Sequence, residues 1–150
     1  MENEIVFDDF KISSDKTLLQ KDVIHTFLSE ESHWAKGIIL EVVERSILNS
    51  ICFGVYHLSN QIGFARVITD KATFAYLADV FIINSYRGKG LSKKLISFIL
   101  SHSELQNLRA WLLATSKAHG LYEKFGWERM TAELQNNYMR KQMIQSYQAR

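Results

Sequence analysis

Asp79-Val80-Phe81-Ile82-Ile83-Asn84-Ser85-Tyr86-Arg87-Gly88-Lys89-Gly90-Leu91-Ser92-Lys93-Lys94 reads as a strand that passes through a glycine-bearing loop into a helix. The run from Thr73 to Ile83 is nearly continuous in apolar residues, so that strand is covered on both faces and is central. Asn84-Ser85 ends it. Leu91, Leu95, Phe98 and Ile99 then recur at helical spacing. Gly88 and Gly90 permit a tight turn and close approach of a ligand. The first amides of the helix lack internal partners and point into the same space. Arg87, Lys89, Lys93 and Lys94 crowd this N-terminal end, where the helix dipole favours acids instead. A bound anion would relieve the repulsion, and phosphates are the usual guests. A solvated basic turn explains the same charges. The spacing excludes the nucleoside-triphosphate loop, which has four residues between its glycines, and the dinucleotide fingerprint, which needs a third.

Working outward, Ile5-Val6-Phe7 predicts a first strand. Ser14 or Asp15 caps a helix with an apolar face of Leu19, Val23, Ile24, Phe27 and Leu28. Ser29 to His33 reads as a loop. Ala35, Ile38, Ile39, Val42, Val43 and Ile47 predict a second helix. The period then shortens: Ile51 to Leu58 and Gln61 to Thr69 are strands around a Ser59-Asn60 turn. After the central strand and its helix, Arg109 to Thr115 is another buried strand. Ala118, Leu121, Tyr122 and Phe125 mark a short helix stopped by Gly126. Trp127 to Met130 predicts a sixth strand and Tyr138 to Met143 a last one. The order β-α-α-β-β-β-α-β-α-β-(β) predicts an α+β fold, a mixed and mostly antiparallel sheet with helices on both faces.

The 150 residues suit one domain over 1–150, and 47% hydrophobic with 23% charged residues exclude wholesale disorder. No apolar run spans a bilayer, and Met1-Glu2-Asn3-Glu4 lacks the basic start of a secretory signal. A cytoplasmic location and no membrane partner are expected. A single cysteine, Cys52, excludes an intrachain disulfide and a cysteine-based zinc site. His25, His57 and His102 show no metal-ligand spacing and read as surface residues, so no metal is expected. A net charge of +2 argues against a nucleic-acid partner.

Arg87-Gly88-Lys89-Gly90-Leu91-Ser92 resembles the acyl-coenzyme A signature of the GNAT acetyltransferase superfamily: Arg or Gln, two residues, Gly, one residue, then Gly or Ala. Arg87 and Gly90 match, and Ser92 stands where Gly or Ala is usual. A second stretch, Thr115-x-x-Ala118-x-x-Leu121-Tyr122-x-x-Phe125-Gly126-Trp127, resembles the superfamily's Asn-x-x-Ala-x-x-Leu-Tyr-x-x-x-Gly-Phe, with Thr115 for Asn and Trp127 for Phe. The element order fits that fold along nearly the whole chain.

The resemblance implies transfer of an acetyl group from acetyl-CoA, a co-substrate, to an amine. It places the backbone of Val80, Phe81 and Ile82 along the pantetheine arm. It places the amides of Arg87, Gly88, Lys89, Gly90, Leu91 and Ser92 on the pyrophosphate. Thr115 and Ala118 belong to the same coenzyme site. Tyr122 stands where the superfamily's general acid protonates the leaving sulfur, although a core aromatic would also lie on this apolar stripe. Some relatives carry a Glu as base where this chain has Ala110. Asp79, the only acid inside the apolar strand, is the first candidate base, with an ion pair to Arg66 as the alternative reading. His119 is the second, and a water chain the third. Glu30, Glu31, His33 and Trp34 form an acidic-aromatic cluster suited to a cationic amine. The expected partner is a small-molecule amine acceptor, and the expected assembly a monomer or homodimer. A non-catalytic acyl-CoA-binding module, acetylation of a protein amine and a nucleic-acid module on the basic loop are the competing readings.

Overall fold

The computed structural model describes residues 3–144 and Tyr147. The chain builds strands β1 (Glu4–Phe7) and β2 (Phe10–Ser13), helices α1 (Lys21–Thr26) and α2 (Leu40–Leu48), strands β3 (Ile51–His57), β4 (Asn60–Thr69) and β5 (Phe74–Ile82), helix α3 (Leu91–Leu100), strand β6 (Ala110–Leu113), and helices α4 (His119–Glu123) and α5 (Ala132–Gln135). The six strands stand in sequence order in one sheet. Neighbours from β1 to β5 are antiparallel, and β6 lies parallel to β5. A parallel neighbour needs a crossover, and α3 supplies it.

Each face of the sheet has its own apolar layer. Phe53, Val55, Val67, Ala75 and Leu77 meet Leu91, Leu95, Ile96, Phe98 and Ile99 of α3 on one side. Cys52, Phe64 and Phe81 meet Ile24, Phe27, Leu28, Val43 and Ile47 around α1 and α2 on the other. Helices therefore cover both faces, as the alternation of the strands requires. Among the described residues no helix is long and apolar enough to cross a membrane.

Several expectations are corrected. β2 was not foreseen: Asp8, with φ of 50°, closes a tight hairpin without glycine. Asp15 caps only a 3-10 turn over Lys16–Leu18, accepting from the Thr17 amide at 2.9 Å, and α1 begins later at Lys21. The second helix starts at Leu40 rather than near Ala35, because Gly37 has φ of 82° and breaks the helical path. Trp127 to Met130 and Tyr138 to Met143 are not strands. Gly126, with φ of 98°, ends α4, and Thr131 then caps α5 through the Leu134 amide, which diverts that stretch from the sheet.

Candidate active site

β5 is bordered by β4 along its length, but by β6 only from Phe74 to Leu77. Beyond the Leu77–Leu113 pair the two parallel strands part, and no strand borders Ala78 to Ile82 on that side among the described residues. The parting coincides with a β-bulge. Phe64 pairs with Phe81 and Arg66 with Ala78, which leaves Ala65 opposite both Asp79 and Val80. Asp79 occupies the left-handed region, with φ of 55°. A bulge of this kind redirects a strand and ends regular pairing.

β5 leads through a 3-10 turn at Asn84–Tyr86 into the glycine loop. Gly88 and Gly90 have φ of 81° and 77°, and a Cβ at either would meet nothing within 4 Å. The backbone requires glycine, and the space above it is open. The first turn of α3 contains no acid and no side-chain cap. Two of the four expected cations are engaged by the protein. Arg87 Nε donates to the Ile82 carbonyl at 3.0 Å, and Lys94 Nζ lies 4.6 Å from the centre of the Phe7 ring. Lys89 and Lys93 have no such partner among the described residues. Tyr86 anchors the loop from below, its hydroxyl 2.9 Å from His57 Nδ1. The surface reading of His57 and His102 is corrected: His57 is held by Tyr86, and His102 is 6% exposed with its ring edge-on to Phe53, because distant segments cover both.

Across the gap, Thr115 Oγ1 accepts from the Ala118 amide at 3.0 Å and initiates α4. An Asn at this position could accept the same amide, so the Thr115 substitution preserves the turn. Tyr122 is 7% exposed and belongs to the core layer beneath α3. Its ring meets Trp127 edge-on at 5.8 Å, and Trp127 meets Trp111 at 5.6 Å. The core reading of the ring is thus correct, while its hydroxyl has no hydrogen bond among the described residues. Burial raises the pKa of Tyr122 above its ordinary value. Tyr122, His119 and Thr115 line one cavity of about 860 Å³ beside β6, of a size suited to a small-molecule ligand.

Asp79 has both oxygens engaged. Arg66 Nε donates to Oδ2 at 2.5 Å, and Trp34 Nε1 donates to Oδ1 at 2.8 Å. Arg66 Nη1 also reaches Ser50 Oγ at 3.1 Å. The ion pair foreseen as an alternative is present, and the indole contact is an addition that sequence spacing could not reveal. Trp34 meets the His33 ring edge-on at 5.2 Å and lies 6.3 Å from Phe27, which stacks on Phe81 at 3.9 Å. Ser32 pins this loop, donating to the Leu28 carbonyl and accepting from the Ala35 amide. Glu30 and Glu31 are exposed nearby. Trp34, His33, Phe81 and Asp79 are thus brought together on the α1–α2 face, and Tyr122, His119 and Thr115 around the cavity beside β6. No group of three or more potential metal ligands occurs among the described residues.

A family model described as the acetyltransferase (GNAT) domain matches residues 49–129, more than half of the chain. The chain belongs to the GNAT acetyltransferase family. A Gibberella zeae protein assigned as an acetyltransferase is 31% identical over 134 residues, spanning 74% of this chain and 75% of its own. The crystal structure of a Xanthomonas campestris pv. campestris protein assigned to the GNAT family is 42% identical, with a TM-score of 0.87 over 92% of this chain and 96% of that one. A GNAT acetyltransferase of Elizabethkingia anophelis with acetyl-CoA bound shares the fold at 12% identity and a TM-score of 0.62, covering 88% and 86% of the two chains. This GNAT protein is accordingly an acyltransferase of a family that uses acetyl-CoA and acts on amines of small molecules or proteins.

The lone thiol of this GNAT protein has no place in that chemistry. Cys52 is 1% exposed, and burial pushes its pKa up to about 11. A buried, protonated thiol is inert. Native protein at pH 8 is expected to leave an aromatic disulfide reagent uncoloured, and urea-unfolded protein to release one equivalent of chromophore. Rapid reaction of the native state would contradict the burial. The same reagent then measures released coenzyme thiol without background.

Proposed function

We propose that this protein moves an acetyl group from acetyl-CoA directly to the primary amine of a small molecule. The observation that carries the reading is the parting of β5 from β6 beside a glycine turn that opens α3. The open space over Gly88 and Gly90, the acid-free first turn and the unpaired Lys89 and Lys93 suit a pyrophosphate. The amides of Arg87 to Ser92 would hold it there. The backbone of Val80, Phe81 and Ile82 would hold the pantetheine arm, whose amides match an unbordered strand. Thr115 and Ala118 fix the start of α4 on the opposite wall. Acetyl-CoA, when bound, supplies the activated thioester.

The amine nitrogen attacks the thioester carbonyl carbon, the carbon–sulfur bond breaks, and the sulfur takes the Tyr122 proton. Before attack the ammonium must lose a proton. In this reading the proton leaves through water, with His119, beside Tyr122 in the same cavity wall, as the relaying side chain. Asp79 is less suited. Protonating it would strand the Arg66 guanidinium, whose side chain is only 17% exposed, without its counter-ion. Glu30, His33 and Trp34 border the acceptor side, where acid and aromatic groups attract a cation. A cytoplasmic location and a monomer or homodimer belong to the same reading.

Thermal shift and a thiol-release assay against a panel of primary amines test it. Coenzyme A should raise the melting temperature, and at least one amine should release thiol well above the hydrolysis background. Stabilisation without turnover on any amine or peptide would favour a non-catalytic acyl-CoA-binding module. Turnover only on peptides would make the acceptor a protein amine.

A further inference from the structure

We propose that Arg66, Asp79 and Trp34 form a latch that fixes the acceptor wall to the bulged strand, with Arg66 and Asp79 as positioning residues. The inference rests on the proposed acyl transfer and names what orients its acceptor side. Five non-glycine residues among those described have positive φ, namely Asp8, Leu58, Lys71, Asp79 and Asn107. Four of them lie in turns, and only Asp79 lies inside a strand. A residue held in that region persists only where its surroundings over-determine it. Here two donors from different elements do so, Arg66 across the bulge on β4 and Trp34 from the loop before α2.

The chain of contacts continues past Asp79. Arg66 reaches Ser50 at 3.1 Å, and Ser50 Oγ donates to the Ser46 carbonyl at 2.7 Å. The end of α2, strand β4, the bulge of β5 and the Trp34 loop are therefore linked by consecutive hydrogen bonds. Trp34 remains 46% exposed although its indole is tethered and its ring rests near Phe27. A half-open aromatic plate, fixed in direction at the point where β5 leaves β6, suits a cation approaching its free face. The Asp79 charge is already spent on Arg66 and the indole, so it holds the plate and does not bind the amine. The acceptor class is a cationic primary amine with apolar atoms next to the nitrogen that rest on the ring.

The test uses Trp34→Phe, which keeps a ring and deletes the donor, with Asp79→Asn as a second variant. Phenethylamine and ammonia serve as acceptor probes, and hydrogen exchange of residues 32–39 provides a readout independent of turnover. The latch requires faster exchange of 32–39 in both variants, with β3 and β4 unchanged. It also requires the phenethylamine KM to rise about tenfold or more, the loss typical of a hydrogen bond to a charged group, while the acetyl-CoA KM stays within about twofold. Ammonia, with nothing to rest on the plate, should show a much smaller KM change than phenethylamine in Trp34→Phe. Unchanged exchange and unchanged KM in Trp34→Phe would overturn the proposal. So would loss of kcat in Asp79→Asn with the phenethylamine KM and the exchange of 32–39 unchanged, which would make Asp79 the base. If wild type binds no acetyl-CoA, the acyl-transfer reading fails; if exchange alone responds, the tether is real but does not orient the acceptor, and the proposal fails.

Discussion

Tyr122→Phe is expected to lower turnover by about 10²-fold or more and to leave acetyl-CoA affinity nearly unchanged. The substitution removes one oxygen and its proton. The ring that fills the layer beside Trp127 stays in place, and the hydroxyl leaves no partner behind, since none is bonded to it among the described residues. Stability should therefore barely change. Tyr122→Ala deletes the buried ring itself and should cost about 3–5 kcal/mol. The acid role is needed only as the carbon–sulfur bond breaks, so its loss appears in kcat and not in binding. Burial holds the Tyr122 pKa above the ordinary tyrosine value, so the proton is retained throughout the neutral range. Ionisation of this hydroxyl should therefore lower wild-type turnover only at pH values above the ordinary tyrosine range. A fully active Tyr122→Phe would reduce Tyr122 to the core aromatic that its burial already makes it.

The segment from β5 through the glycine loop to α3 was legible because each of its signals is local. A long apolar run marks burial, two glycines mark positive φ, and a stripe at helical spacing marks the packed face of α3. Sequence reading failed where the decisive partner is distant or the element is very short. Phe10–Ser13 has four residues, too few for alternation to be recognised, and is a strand because Lys11 and Ile12 pair with Tyr56 and Val55. Ala35, Ile38 and Ile39 are spaced like a helix face, yet they belong to a loop folded around Ser32 and Gly37. Both Ala35 and Ile38 are buried, so the apolar pattern reported the core correctly and its geometry wrongly.

The candidate site shows the same division. An acid inside an apolar strand announced that Asp79 has a special environment, but not that it sits in a bulge or that Trp34 completes its bonding. The sequence places four cations at the start of α3 without distinguishing their partners. Folding assigns Arg87 to a carbonyl and Lys94 to the Phe7 ring, and Lys89 and Lys93 have no such partner among the described residues. Thr115, a departure from the superfamily pattern, still supports the turn, because its hydroxyl oxygen accepts from the Ala118 amide.

Gly90→Val is expected to weaken acetyl-CoA binding by at least about 10²-fold while the protein stays folded. Two effects act, and they are separable. The backbone at Gly90 has φ of 77°, a conformation that costs an L-residue roughly 1–2 kcal/mol. That strain is present without ligand, so the melting temperature of the unliganded variant measures it alone. The second effect is steric and needs the ligand. A Cβ at Gly90 meets no protein atom within 4 Å, so a valine branch obstructs only something that enters the open space above the turn. Gly90→Ala has most of the strain and less bulk, and should lose less affinity than Gly90→Val at similar stability. Because Lys89, Lys93 and the first amides of α3 would meet the pyrophosphate, wild-type affinity should also fall as salt rises about tenfold, which shortens the screening length about threefold. Binding by folded Gly90→Val equal to wild type, with no salt dependence, would remove the phosphate from this loop. It would leave Lys89 and Lys93 as solvated charges at the start of α3, where they oppose the helix dipole with no ligand to offset the cost.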